Sequence, residues 1–166
     1  MKQLTAIFFT SLVFCLASCM SGGEEFARMS FDKAVGSSTE ITQVAFDNGF
    51  KSQTFELEAG DQITLYTDID IEYEGSILLD FLTVMVSEDN DTVHVSQTIP
   101  NDSELATRHT SKTFGSKKSE SFKTKIGRFK IPENNTYFLK SIFRSSINKS
   151  LTLSKADVVV MKSWNK

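Results

Sequence analysis

The segment Gln62 to Tyr73 alternates in side-chain character with a period of two for twelve residues. An alternation of that length places one set of side chains on each face of an extended strand, whereas a helix would scatter both sets around its circumference. The same period recurs in Thr54-Phe55-Glu56-Leu57-Glu58, and turn residues punctuate it at Ala59-Gly60-Asp61, Glu74-Gly75-Ser76 and Pro100-Asn101-Asp102. Ile77 to Val86 is apolar in both parities except at Asp80 and Thr83, which predicts a central strand covered on both faces. Ser87 to Asp91 reads as a polar hairpin tip, and Thr92–Ile99, Phe122–Ile131, Thr136–Arg144 and Ser150–Lys162 read as further strands. Beginning at Ile41, about eight strands and no convincing helix predict an all-β fold, an antiparallel β-sandwich of jelly-roll or immunoglobulin-like topology.

One register detail follows from parity. Lys123 and Lys125 alternate with Phe122, Thr124 and Ile126, but Arg128 and Lys130 then alternate with Phe129 and Ile131 in the opposite parity. One extra residue at Gly127 restores the register, so a β-bulge is predicted there, with glycine supplying the dihedral freedom.

The N-terminus carries Lys2, then an apolar run from Leu4 to Leu16, then small residues, the layout of a secretory signal too short to span a bilayer. Its last four residues, Leu16-Ala17-Ser18-Cys19, resemble the lipobox of bacterial lipoproteins. The resemblance implies cleavage before Cys19, a diacylglyceryl group on its thiol and an acylated amine. Met20, in place of an aspartate, points by the same resemblance to the outer membrane, and Ser21-Gly22-Gly23-Glu24-Glu25 is similar to an acidic surface-export signal or is a solvated linker. Two or three acyl chains hold a protein on a membrane essentially permanently, at about 0.8 kcal/mol per buried methylene. The expected organisation is a signal peptide over 1–18, a lipidated cysteine and flexible tether over 19–40 with a reach of about 25 Å, and a sandwich over 41–166.

Loss of residues 1–18 takes the 166 residues to 148, ample for one core. Cys15 leaves with the signal and Cys19 carries lipid, so packing alone must hold the domain. Loss of Lys2 takes the 18 basic residues to 17 against 21 acidic, a net of −4 that excludes a globally basic nucleic-acid binder.

Charge is segregated along the chain. Between Glu40 and Asp91 stand thirteen acidic residues and one basic, Lys51; between Arg108 and Lys130 stand eight basic and one acidic, Glu120. Asp68, Asp70, Glu72 and Glu74 fall on one strand face and are the only candidates for a metal such as Ca²⁺, although neighbours about 6.7 Å apart need help from another element to hold one ion. The alternatives are a solvated face, a cationic partner, or cross-strand ion pairs with the Lys123–Lys130 strand. Residues 101–121, rich in Ser, Thr and Lys, are expected to form a long mobile loop. Arg108, Lys112, Lys117 and Lys118, with the sole tryptophan Trp164, are candidates for contacting anionic headgroups, lipopolysaccharide, an acidic partner or a glycan.

Catalytic residues are not expected. His94, read as an exposed strand residue, and His109 are the only bases suited to neutral pH, and neither stands in a motif with a nucleophile. No cofactor is expected. Phe129-Lys130-Ile131-Pro132-Glu133-Asn134-Asn135-Thr136-Tyr137 is similar to an edge motif of ligand-binding and accessory sandwiches, with Asn135 at a position where glycine makes a left-handed turn. Asp91-Thr92-Val93 resembles a short periplasmic O-glycosylation pattern. The whole chain resembles small β-sandwich envelope lipoproteins of diderm bacteria. The expectation is a non-enzymatic, lipid-anchored outer-membrane protein that serves as an interaction or accessory subunit, or alternatively a surface glycan binder, on either leaflet.

Overall fold

In a computed structural model, residues 23–32, 35–36, 50–98, 106–147 and 151–163 are described; they contain ten strands and no helix. The strands are β1 (Glu24–Ser30), β2 (Val35–Gly36), β3 (Lys51–Leu57), β4 (Gln62–Glu74), β5 (Ile77–Ser87), β6 (Thr92–Thr98), β7 (Ala106–Phe114), β8 (Lys117–Lys130), β9 (Asn135–Ile147) and β10 (Leu151–Ser163). They form two sheets. The first has the order β1-β10-β4-β8-β7. In the second, β9 lies between β5 and β3, β6 lies beyond β5, and β2 pairs in parallel with the end of β9 that β3 leaves uncovered.

The pairing nests first strand with last. β1 joins β10, β3 joins β9, β4 joins β8, and β5 joins β6, all antiparallel. Rolled over one core, that nesting is jelly-roll order, so of the two expected topologies the chain follows the jelly roll. β7 is an addition outside the eight-strand roll, hydrogen-bonded only to β8 among the described strands.

The alternation of β4 works as its sequence implies. Ile63, Leu65, Ile69, Ile71 and Tyr73 enter the core, where Phe81, Phe122, Tyr137, Leu139, Phe143 and Val158 meet them from both sheets. Phe81 and Phe143 stack at 4.5 Å, and Phe31 sets its edge on Phe81 at 5.7 Å. Tyr137 OH donates to the Glu133 carbonyl at 2.9 Å, closing the turn before β9 in the manner of a tyrosine corner. At one end of the first sheet, Lys162 meets Asp61 at 2.6 Å, both nearly buried, and the Glu58 N–H also donates to Asp61. Burial favours such a pair only because both charges stay partnered.

Four expectations change. The domain does not wait until residue 41: β1 pairs with β10, and Met29 and Phe31 are buried, so residues 24–31 belong to the sandwich and not to a tether. Gly22, Gly23, Gly36, Ser37 and Ser38 obscured a short strand that earns its place through two apolar side chains. The strand start at Ile41 lies outside the described residues. Residues 106–114, expected in a mobile loop, form β7 because Ser and Thr suit an edge strand and Gly115, at φ 63°, permits the two-residue turn Gly115-Ser116. β5 is central as expected, but only Leu79, Phe81, Thr83, Met85 and Ser87 are buried; Leu78 is 49 % exposed, so its second face is not fully covered. Asn135 does not adopt the left-handed region, which among the described non-glycine residues belongs to Asn90 in the Ser87–Asp91 hairpin; Asn135 instead receives the Thr136 N–H on its side chain and donates to Asp89.

Candidate interaction surface

The expected bulge is present, and it arranges the charged face. Leu65 of β4 opposes Gly127 while Tyr66 opposes Lys125, so Ile126 is the extra residue of β8. Because of it, Lys123, Lys125, Arg128 and Lys130 all point away from the core, while Phe122, Thr124, Ile126 and Ile131 are buried. The glycine is needed for a different reason than dihedral freedom, since its φ is not positive. A Cβ at position 127 would lie 2.4 Å from His94 Nε2. The His94 ring, projecting from β6, stacks on Phe129 at 4.5 Å and 15°. His94 is therefore a half-buried contact between the sheets and not an exposed strand residue. Burial pushes its pKa down, and its Nε2 has no hydrogen-bond partner.

The acidic row of β4 lies against the basic strand β8. Asp68 opposes Lys123, Asp70 opposes Ser121, Glu72 opposes Ser119 and Glu74 opposes Lys117. Asp68 is the hub: Lys155 Nζ approaches at 2.5 Å, and Arg28 and Arg108 each at 3.7 Å. Arg28 also holds Asp157 at 2.5 Å and Glu25 at 2.8 Å, and its hydrogen bond with Glu25 keeps the Glu25 carboxyl below its ordinary pKa. Lys117 meets Glu72 at 3.0 Å, and Ser116 donates to Glu74 at 2.9 Å. Within the proposed Asp68, Asp70, Glu72 and Glu74 metal row, Asp68 and Glu72 are thus paired with cations and Glu74 accepts from Ser116, and among the described residues no three acidic, His or Cys side chains converge as metal ligands.

The basic binding candidates separate. Arg108 and Lys117 are engaged with Asp68 and Glu72. Lys112 has no carboxylate partner among the described residues, and Lys118 lies 6.0 Å over the Tyr73 ring. Trp164 lies outside the described residues. His109 stands 3.9 Å from Glu120, to which Ser111 and Tyr73 also donate, at 3.4 and 3.1 Å. Burial and that carboxylate push the Tyr73 phenol up to about 12. Ser111 bonds the carboxylate and not the imidazole, so the group lacks the nucleophile-to-base contact of acyl-transfer chemistry.

What the sequence reading missed is the shape of this region. β6 packs beneath β8 through the His94–Phe129 stack, and β1 packs over β3 through Phe26 and Phe55 at 5.5 Å. β7 lies beyond β8, outside the footprint of the second sheet. Residues 107–119 are accordingly exposed in both parities. Phe114 at the tip is 91 % exposed. The signal that could have found it is local: Gly-Ser between Phe114 and Lys117, flanked by alternating Arg108, Thr110, Lys112 and Phe114. Because β8 pairs with β4 as far as Lys117, the overhang is the single strand β7, which with the hairpin tip forms an edge arm whose outer side no described strand pairs.

The outer face of the second sheet is more apolar than a solvated face requires. Leu82, Val84, Val86 and Phe138 are half-buried on it, and Leu78 and Val95 are 49 % and 58 % exposed. The chain between β2 and β3 leaves from its margin and is not among the described residues.

Family models, curated protein sequences and solved structures were compared with the chain, and none of the three comparisons gives a match.

Proposed function

We propose that this chain is a non-enzymatic lipoprotein of the outer membrane, held through Cys19, whose β7–β8 arm docks an extended, acidic segment of a partner protein. The observation that carries the proposal is the arm itself: exposed in both parities from residue 107 to 119, tipped by Phe114 and open along the edge of β7. An unpaired edge strand offers main-chain hydrogen bonds to an added strand, and alternate side chains of that strand would meet Lys112 and Phe114. Exposed edges invite aggregation unless covered or charged, and here Arg108 and Lys112 give the edge a sign that selects an acidic occupant.

Distance along the sheet supports the same division of labour. β4 is 13 residues long, and Gly23 lies at the Gln62 end while Phe114 lies at the Glu74 end. At about 3.3 Å per residue the arm stands roughly 40 Å from the membrane-linked end. The glycan alternative gains no support from the tyrosines: Lys123 covers the Tyr66 ring at 5.0 Å, and Tyr73 and Tyr137 are buried.

Two variants test the reading. Cys19→Ser should move the protein from the membrane fraction to the soluble fraction. Phe114→Ala combined with Lys112→Glu should leave it membrane-bound and folded but abolish co-purification of its partner. Retention of the partner by that double variant would refute the arm as the docking site. Protease treatment of intact cells then decides the leaflet, since only an outward-facing domain is shaved.

A further inference from the structure

The ladder between β4 and β8 compensates charge over only part of its length. Lys117 and Lys123 oppose Glu74 and Asp68, but beyond the bulge the partners become neutral. Lys125 opposes Tyr66, Arg128 opposes Thr64 and Lys130 opposes Gln62. Arg128 donates to the Gln62 side-chain oxygen, and no ion pair involves Lys125, Arg128 or Lys130 among the described residues. On the outer face of β8 the uncompensated positive charge therefore collects at the Gln62 end of the first sheet.

That end holds a polar pocket of about 180 Å³ on the outer face, lined by Gly23, Tyr66, Lys125, Arg128, Met161 and Ser163 among others, with no carboxylate in its wall. Glu25, opposite Met161 in the β1–β10 ladder, has both carboxylate oxygens bound to Arg28. Gly23, four residues after Cys19, lies against the Lys162 backbone at this end. Four residues span at most about 14 Å, so an anchor at Cys19 holds the pocket within that distance of the headgroup layer.

We infer that the Lys125–Arg128 pocket takes the phosphate of an anionic phospholipid in the membrane to which Cys19 is attached. This rests on the lipid-anchor reading above. Charge complementarity and the short leash both favour this occupant. A basic side chain gains attraction only within about a Debye length of an anionic surface, and the anchor supplies that proximity. Arg128, with a planar fork of donors, and Lys125, a mobile point charge, together match a phosphodiester set between them. The bound headgroup would fix the tilt of the domain and direct the β7–β8 arm away from the bilayer.

The test uses the chain from residue 19 onward with Cys19→Ser, so that no acyl chain contributes, and vesicles of phosphatidylcholine alone or mixed with phosphatidylglycerol. Co-sedimentation is expected only with the mixed vesicles and should weaken as salt rises. Lys125→Gln with Arg128→Gln should lower partitioning about thirtyfold. Lys112→Gln with Lys118→Gln, in the distal arm, should leave it unchanged. Equal loss from both pairs, equal binding to neutral vesicles, or no binding at all would overturn the inference. Mass analysis of the Cys19 peptide from native membranes separates this from the anchor: an unacylated Cys19 would refute the anchor, whereas failure on vesicles with Cys19 acylated would refute the pocket alone.

Discussion

The two halves of the β4–β8 ladder share a backbone pattern and differ in what their charges do. From Asp68 to Glu74 the row is partly compensated: Asp68 and Glu74 oppose Lys123 and Lys117, Arg28, Lys155 and Arg108 reach Asp68, and Lys117 reaches Glu72. From Gln62 to Tyr66 equally basic side chains face an amide, a threonine and a phenol ring. The first half spends its charge on holding strands in register, whereas the second presents it to solvent. Net charge alone hides this, because a sequence at −3 gives no hint that an unbalanced basic end exists. The bulge at Ile126 and Gly127 lies between Lys125 and Arg128 and keeps all the cations on one face.

The largest expected effect contrasts the halves directly. Asp68→Ala removes a nearly buried carboxylate and strands Lys155 and Arg28 beside it, so stability should fall by about 3 kcal/mol in urea denaturation. Lys125→Gln, in the other half, should change it by less than about 0.5 kcal/mol. Similar losses from both would erase the distinction.

Next in size is the bulge. Gly127→Ala drives a methyl group into the His94 ring and should cost about 1–3 kcal/mol. Adding His94→Ala to that variant should recover part of the loss, and strict additivity in the double-mutant cycle would mean the close approach has no energetic role.

A smaller effect concerns pH. The pKa of His94 is lowered in the fold by burial, so its neutral form is the folded one. The unfolded chain then binds more protons, and stability should decline as pH falls from its unfolded value of about 6.5 through the lower folded one. His94→Gln should flatten that part of the profile of denaturation midpoint against pH, and an unchanged slope would assign the acid sensitivity elsewhere.

The sandwich was legible because β4 and β8 alternate over long stretches and the glycine turns at Gly60 and Gly75 bound β4. The bulge was legible from parity alone, although the reason for glycine was not, since it depends on His94 from a strand about thirty residues away in sequence. β1 was missed because its sequence has few apolar residues and its value lies in Met29, with Phe31 just past its end, meeting a core built by later strands. β7 was missed because a strand exposed on both faces carries no hydrophobic period at all. The acidic row was visible as a row, but the register of β4 against β8, a pairing of strands distant in sequence, decides which carboxylates are compensated.

On the two proposals above, the ends of the first sheet face different surroundings, lipid at the Lys125 end and a protein partner at the Phe114 end. The most direct test is a photo-crosslinking amino acid placed at position 114 or at position 125 in the intact envelope of native cells. The account predicts a discrete protein adduct from position 114 and a phospholipid adduct without a protein band from position 125. A protein adduct from position 125, or lipid alone from position 114, would contradict it.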